Sequence, residues 1–251
     1  ERLVGSEMCI RDSYWPDIAE RKRIKRRMYR RHGLKDAVGI VDGTPINFYQ
    51  RPGIDGECFF TRKGRYSTNL QLICDDRGFI RYYIVGYPGP TPDNEIISKS
   101  WILKTPEKFF SLMEYLLADA GYGLCDYICT PYRHPLAAVP RNQLFNVWYS
   151  SGRVTIEHVN GRIKSRFGSL KGIRILVQKL EDFERVNKWI IVCIILYNMF
   201  IRFADVWDEE DEDEQEEERE VAEVAVTGNG LNLRQRVQAD LLHWVQNDML
   251  L

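Results

Sequence analysis

Asp42 ends the apolar run Ala37-Val-Gly-Ile-Val41, Asp119 ends Glu114-Tyr-Leu-Leu-Ala118, and Glu157 lies in a stretch of helical periodicity. Apolar, β-branched runs closed by such turn residues predict strands that end at the two aspartates. In an α/β sheet the carboxyl ends of neighbouring strands meet, and ligands bind there. Ile156, Val159, Ile163, Phe167 and Leu170 make one apolar helix face at about 100° per residue. Arg153, Glu157, Asn160 and Lys164 share the flank beside it, so Glu157 borders the core and looks across at the sheet.

Three acids converging without a counter-charge repel one another and are driven to protonate. Divalent cations remove that penalty, and oxygen ligands suit Mg²⁺ or Mn²⁺. Two such ions about 4 Å apart activate a water and stabilise the leaving oxygen in phosphodiester cleavage. Gly43 beside Asp42 and Gly121 beside Asp119 leave room for metal and a sugar-phosphate backbone. Spacing alone also allows plainer roles: a turn or cap for each Asp, and simple solvation for Glu157.

The elements that must position these residues read as follows. A basic helical segment over 14–36 precedes the Ala37–Val41 strand. Tyr66–Cys74 and Phe79–Val85 read as a hairpin joined by Asp75-Asp76-Arg77-Gly78. Asp93 is placed to cap a helix over 93–112. Glu114–Ala118 and Asp126–Cys129 follow as strands, then helices over 142–170 and 180–203. The expected domain division is a non-native leader at 1–13, the basic segment at 14–36, the main α/β domain at 37–203, an acidic linker at 204–230 and an amphipathic helix at 231–251. Residues 1–13 lack either periodicity and resemble a translated adaptor remnant.

The net charge of −1 hides a segregation. Residues 208–220 hold eleven Asp/Glu and one Arg, a net of −10, so the other 238 residues carry +9. A basic body of this kind suits a polyanionic partner. The acidic run is expected to be solvated and disordered, either as a nucleic-acid mimic or as a solubilising linker. Six scattered cysteines without a CxxC pair read as buried thiols. Cys125, Cys129 and His134 lack a second pair to close a zinc site. The longest apolar run, Trp189–Ile201, has 13 residues, short of the roughly 20 needed to span a bilayer.

The strings Val-Gly-Ile-Val-Asp42-Gly-Thr, Arg62-Lys-Gly-Arg-Tyr-Ser, Tyr87-Pro-Gly-Pro-Thr-Pro-Asp93, Leu-Ala-Asp119-Ala-Gly-Tyr122, Thr130-Pro-Tyr-Arg133 and Arg153-Val-Thr-Ile-Glu157-His-Val-Asn-Gly-Arg-Ile-Lys164 occur in that order, before a closing Ile-Ile-Leu-Tyr-Asn198. Over roughly 14–203 the chain thereby resembles the DDE superfamily endonuclease domain of PIF/Harbinger-type transposases and the nucleases domesticated from them. The resemblance implies an α/β, ribonuclease H-like mixed sheet flanked by helices. Asp42, Asp119 and Glu157 would be its catalytic acids and hold two Mg²⁺ or Mn²⁺ ions. The 37 residues between Asp119 and Glu157 fit the family spacing. Asp93 matches a further recurring acid and is a lesser metal-ligand candidate, since capping explains it equally. His158 stands where Arg is common, and Tyr197-Asn198 where His-Asn is usual.

DNA is the implied partner, with a separately encoded Myb-like DNA-binding helper, a homo-oligomer as a further candidate assembly, and the nucleus as the compartment. Arg62, Lys63 and Arg65 in a loop near Asp42, with Arg153, Lys164, Arg166 and Lys171 around the Glu157 helix, are the candidate DNA contacts. Such contacts position a duplex without reading its sequence. A domesticated binding module without catalysis is the competing expectation, and membrane anchoring through 189–203 is a weak third.

Overall fold

The computed structural model describes residues 15–203 and 228–247, so the leader and the acidic run lie outside the described residues. The α/β, ribonuclease H-like expectation holds: a mixed five-stranded sheet carries helices on both faces. The strands are β1 (Ala37–Asn47), β2 (Ser67–Cys74), β3 (Ile80–Pro88), β4 (Tyr115–Leu117) and β5 (Ile128–Cys129), in spatial order β3-β2-β1-β4-β5. β1, β2 and β3 pair antiparallel, and β4 and β5 add to β1 in parallel.

Strand parity decides what each face carries. Ile40, Asp42, Thr44 and Ile46 share one face with their β2 partners Cys74, Leu72, Leu70 and Thr68. That face packs on helices α1 (Ile18–His32), α4 (Pro140–Arg166) and α5 (Leu180–Arg202), through Ile24, Met28, Ile156, Val159, Ile190 and Ile194. Val41, Gly43 and Pro45 share the other face with Ile73, Gln71 and Asn69. There α2 (Asp93–Lys99) and α3 (Trp101–Lys104) bring Ile96, Ile97 and Ile102. Burial on both faces explains why β1 reads as a continuous apolar run instead of alternating.

Several elements differ from expectation for local reasons. β1 runs past Asp42 to Asn47 because its pairing with β2 continues to Asn47 and Ser67, although β4 ends level with Ile40. Beyond that level β1 has only β2 as a strand partner, and a proline such as Pro45 is tolerated on a half-open strand. The helix expected over 93–112 breaks at Ser100, whose backbone is extended, and at Thr105. Thr105 precedes Pro106, which disfavours the helical conformation. α6 (Gly228–Asn247) docks on this same domain, burying Leu233, Val237, Leu241 and Trp244 and bonding Gln238 Nε2 to Asn142 Oδ1 at 2.8 Å. Cys129 is buried, with its thiol pushed up to about 12 by burial, whereas His134 is exposed. No described helix is long and apolar enough to cross a membrane.

Much of the basic cluster on α1 serves folding. Arg21 Nε bonds Glu114 Oε2 at 2.8 Å, and Lys25 Nζ lies 3.0 Å from the other oxygen. Arg27 grips both oxygens of Asp76 in a fork at 2.6 and 2.7 Å, and Arg81 donates twice to Asp75 Oδ2 at 2.9 and 2.6 Å. Lys22, Arg26 and Arg30 stay exposed, one turn apart on the outer face. Because Glu114 is only 2 % exposed, Glu114→Ala removes the buried carboxylate partner of Arg21 and Lys25. Urea unfolding is expected to show a loss of about 3–5 kcal/mol, and a loss below 1 kcal/mol would contradict the packing described.

Candidate functional site

The register places the first two acids. Ile40 of β1 pairs with Leu117 of β4, and Asp42 and Asp119 each lie two residues further along these parallel strands. Both therefore continue the face that receives α4. The ladder holds through Ala118, whose N–H donates to Cys129 O at 3.0 Å.

Tyr149 of α4 secures the position just before Asp119. Its Oη accepts the Ala118 N–H at 2.9 Å and reaches the carbonyls of Ala118, at 3.0 Å, and Cys129. Full burial pushes its pKa well above the phenol value, so this is a neutral hydroxyl tying two strand ends to one helix. Asp119 itself accepts the Gly121 N–H at 2.7 Å, so it also fills the turn role that spacing allowed.

α4 brings the third acid. Asn142, Phe145, Tyr149, Gly152, Ile156, Val159 and Ile163 form its buried stripe. Arg153, Glu157 and Asn160 lie beside that stripe, and Arg153 and Asn160 reach Asp42. Asn160 Nδ2 donates to Asp42 Oδ2 at 2.8 Å. The Arg153 guanidinium lies 3.9 Å from Asp42 Oδ1 and 3.9 Å from Glu157 Oε1. Its side chain is 14 % exposed while that of Glu157 is 42 % exposed. The structure thus gives Arg153, expected among the DNA contacts, two of the three acids as neighbours. Arg133 is half-buried in the field of Asp119; burial lowers its pKa and the aspartate charge works the other way.

Asp93 does something other than cap its helix. Pro92 occupies the cap position without a side-chain bond, and the Asp93 carboxylate accepts from Asn69 Nδ2 at 2.9 Å and Gln71 Nε2 at 3.2 Å. These partners belong to the Gly43 face, opposite the side chain of Asp42. A Cβ on Gly43 would lie 2.2 Å from Asp93 Oδ1. The space expected beside Gly43 is therefore filled by this carboxylate.

The candidate phosphate contacts spread more widely. Arg62, Lys63 and Arg65 are exposed in the turn beyond the Asn47–Ser67 end of the β1–β2 pair. Asp42 is five residues back along β1, about 16 Å of strand. Lys164 is half-buried seven residues past Glu157, about 10 Å along α4. Arg166 stacks 3.6 Å over the Phe200 ring, and Lys171 is exposed just beyond α4.

For a metal, the donor chemistry fits: Asp42, Asp119 and Glu157 are oxygen donors assigned to one face. Yet among the described residues no three His, Cys, Asp or Glu side chains form a group that could hold an ion. Between Asp42 and Glu157 stands a guanidinium. Residues that the sequence reading left out of the site are Tyr149, Asn69 and Gln71. The last two carried a signal, as amides at alternate positions of an otherwise apolar strand.

The sequence matches the family described as DDE superfamily endonuclease over residues 41–198. It is 26 % identical over 194 residues to "Putative nuclease HARBI1" of Bos taurus and of Homo sapiens, covering 77 % of this chain and 54 % of each relative. It is 25 % identical over 221 residues to "Protein ALP1-like" of Arabidopsis thaliana, covering 81 % of this chain and 52 % of that one. The chain thus spans about half the length of these relatives. No solved structure matches it.

One packing claim can be checked directly. Gly43→Ala is expected to cost about 1–3 kcal/mol by overpacking against Asp93. Adding Asp93→Ala to the same chain should return part of that cost in a double-mutant cycle. Strict additivity in urea melts would contradict the contact.

Proposed function

The chain belongs to the DDE superfamily endonucleases, and on that premise we propose that it is the catalytic domain of a divalent-metal-dependent DNA endonuclease or transposase. The observation that carries this reading is the placement of Asp42, from the middle of β1, and Glu157, from α4, on either side of one guanidinium. Asp119 is assigned to the same face by register.

Asp42, Asp119 and Glu157 would hold Mg²⁺ or Mn²⁺. A pair of such ions would supply hydroxide at neutral pH, by lowering the pKa of water, and would offset charge on the leaving oxygen. Asn160 fixes the orientation of Asp42 through Oδ2. Tyr149 holds the chain at Ala118 so that Asp119 keeps its place. Asp93 braces β1 from behind through Asn69 and Gln71.

The duplex would be positioned by cations around this edge. Lys164, Arg166 and Lys171 extend from the Glu157 helix, and Arg62, Lys63 and Arg65 clamp from the hairpin end. The reading includes action in the nucleus, a Myb-like helper for site recognition, and self-association. Trp189, Val192, Leu196, Met199 and Phe203 are exposed on α5 at alternating three- and four-residue spacing and offer a surface for such contacts.

The test is nicking of supercoiled plasmid in Mg²⁺ or Mn²⁺ by the parent chain and by Glu157→Gln at matched concentration. Nicking by the parent that falls to background in the variant is the expected result. Equal nicking by both would place the activity elsewhere. No nicking by either folded chain would favour a catalytically silent DNA- or protein-binding module.

A further inference from the structure

We infer that Arg153 is the resident counter-cation of the acidic centre and is exchanged for a divalent cation when the site loads; this rests on the metal-dependent reading above. The way the guanidinium is held is the reason. Its Nη2 and Nη1 stand 3.9 Å from Asp42 Oδ1 and Glu157 Oε1, close enough for charge attraction but beyond hydrogen-bond range. Its Nε is buried and has no hydrogen-bond partner, a cost that a permanent structural bridge avoids.

The same molecule shows what permanent bridges look like. Arg27 binds Asp76 through two nitrogens at 2.6 and 2.7 Å, and Arg21 distributes its nitrogens over Glu114, Pro16 O and Ser111 at 2.7–2.9 Å. Short, charge-assisted forks of this kind lock a side chain. Arg153 has the burial of those residues without their bonds, so charge alone keeps it between the two acids.

Exchange is also what the charges require. One guanidinium offsets part of the charge of two carboxylates; a divalent ion offsets all of it and repels a cation left beside it. Asn160 already fixes Asp42 through Oδ2, so the acid keeps its orientation when Arg153 departs. The exit lies past Glu157, the more exposed member of the pair. On that side the released guanidinium joins the basic flank of α4, where it meets backbone phosphate. Metal loading and DNA binding then favour each other, as linkage demands.

The experiment measures Mn²⁺ binding to the full chain by loss of the free-ion EPR signal, for the parent, Arg153→Gln, Arg153→Lys and Asp42→Asn. Removing the competing cation is expected to tighten Mn²⁺ binding about tenfold in Arg153→Gln. Arg153→Lys should stay near the parent, and Asp42→Asn should bind weakly. A merely structural arginine predicts the opposite sign, because a damaged site loosens its metal. A second readout needs no variant: phenylglyoxal labelling of Arg153 in the parent, followed by mass spectrometry, is expected to rise several-fold on adding Mn²⁺. Equal or weaker Mn²⁺ binding by Arg153→Gln, or unchanged labelling of Arg153, would overturn the exchange while Asp42-dependent Mn²⁺ binding leaves the metal reading intact. Mn²⁺ binding that is absent, or indifferent to Asp42→Asn, would overturn the metal reading and the exchange together.

Discussion

The close approach of α4 to the sheet at Gly152 sets the distance on which the site depends. A Cβ there would lie 2.4 Å from Leu34 Cδ1 and 3.2 Å from Leu117 Cδ1, so a larger residue would displace these buried leucines or the helix itself. Leu117 is two residues before Asp119, and the next turn of α4 carries Ile156 and Glu157. The contact therefore fixes how far Glu157 stands from the strand ends. Tyr149, one turn earlier, bonds the same strand ends directly. Helix and sheet are joined on both sides of the glycine, and Arg153 and Asn160 inherit their positions from that joint.

The charges of the interior fall into two kinds. Glu114, Asp75 and Asp76 are gripped by arginines through short bonds, and this organises α1 and the β2–β3 turn. Burying an acid in this way is tolerable because the partner is equally fixed. Asp42 and Glu157 face a cation at longer range, and Glu157 keeps contact with solvent. A pair held loosely can change partner; a fork cannot without unfolding its surroundings. The contrast separates carboxylates that build the fold from those that the proposed function assigns to chemistry.

Much of this was legible in the sequence, for reasons that can be named. The strand that stops just before Asp119 follows from an apolar run closed by turn residues, and the Glu157 flank follows from helical periodicity; the end expected at Asp42 does not, since β1 continues to Asn47. The resemblance to DDE endonucleases rested on ordered motifs and agrees with the family match over 41–198. Less legible were effects that depend on pairing. The extension of β1 through Pro45 depends on its pairing with β2, which runs on to Ser67. The bonds of Asp93 to Asn69 and Gln71 join residues 24 and 22 positions apart, across the turn of β2 and β3, while a cap is a local guess. The basic look of α1 concealed acids contributed by the β2–β3 turn and the approach to β4, so bridges such as those of Arg21 and Arg27 could not be seen from a basic segment alone.

On the proposed reading, Asp42, Asp119 and Glu157 come together around one cation. Fe²⁺ bound in place of the natural ion, with ascorbate and peroxide, cuts the backbone next to wherever it sits. Fragments ending near residues 42, 119 and 157 together, suppressed by excess Mn²⁺ and lost in Asp42→Asn, are the predicted result. Cuts confined to one of these segments, cuts elsewhere, or cuts that survive Asp42→Asn would contradict the account.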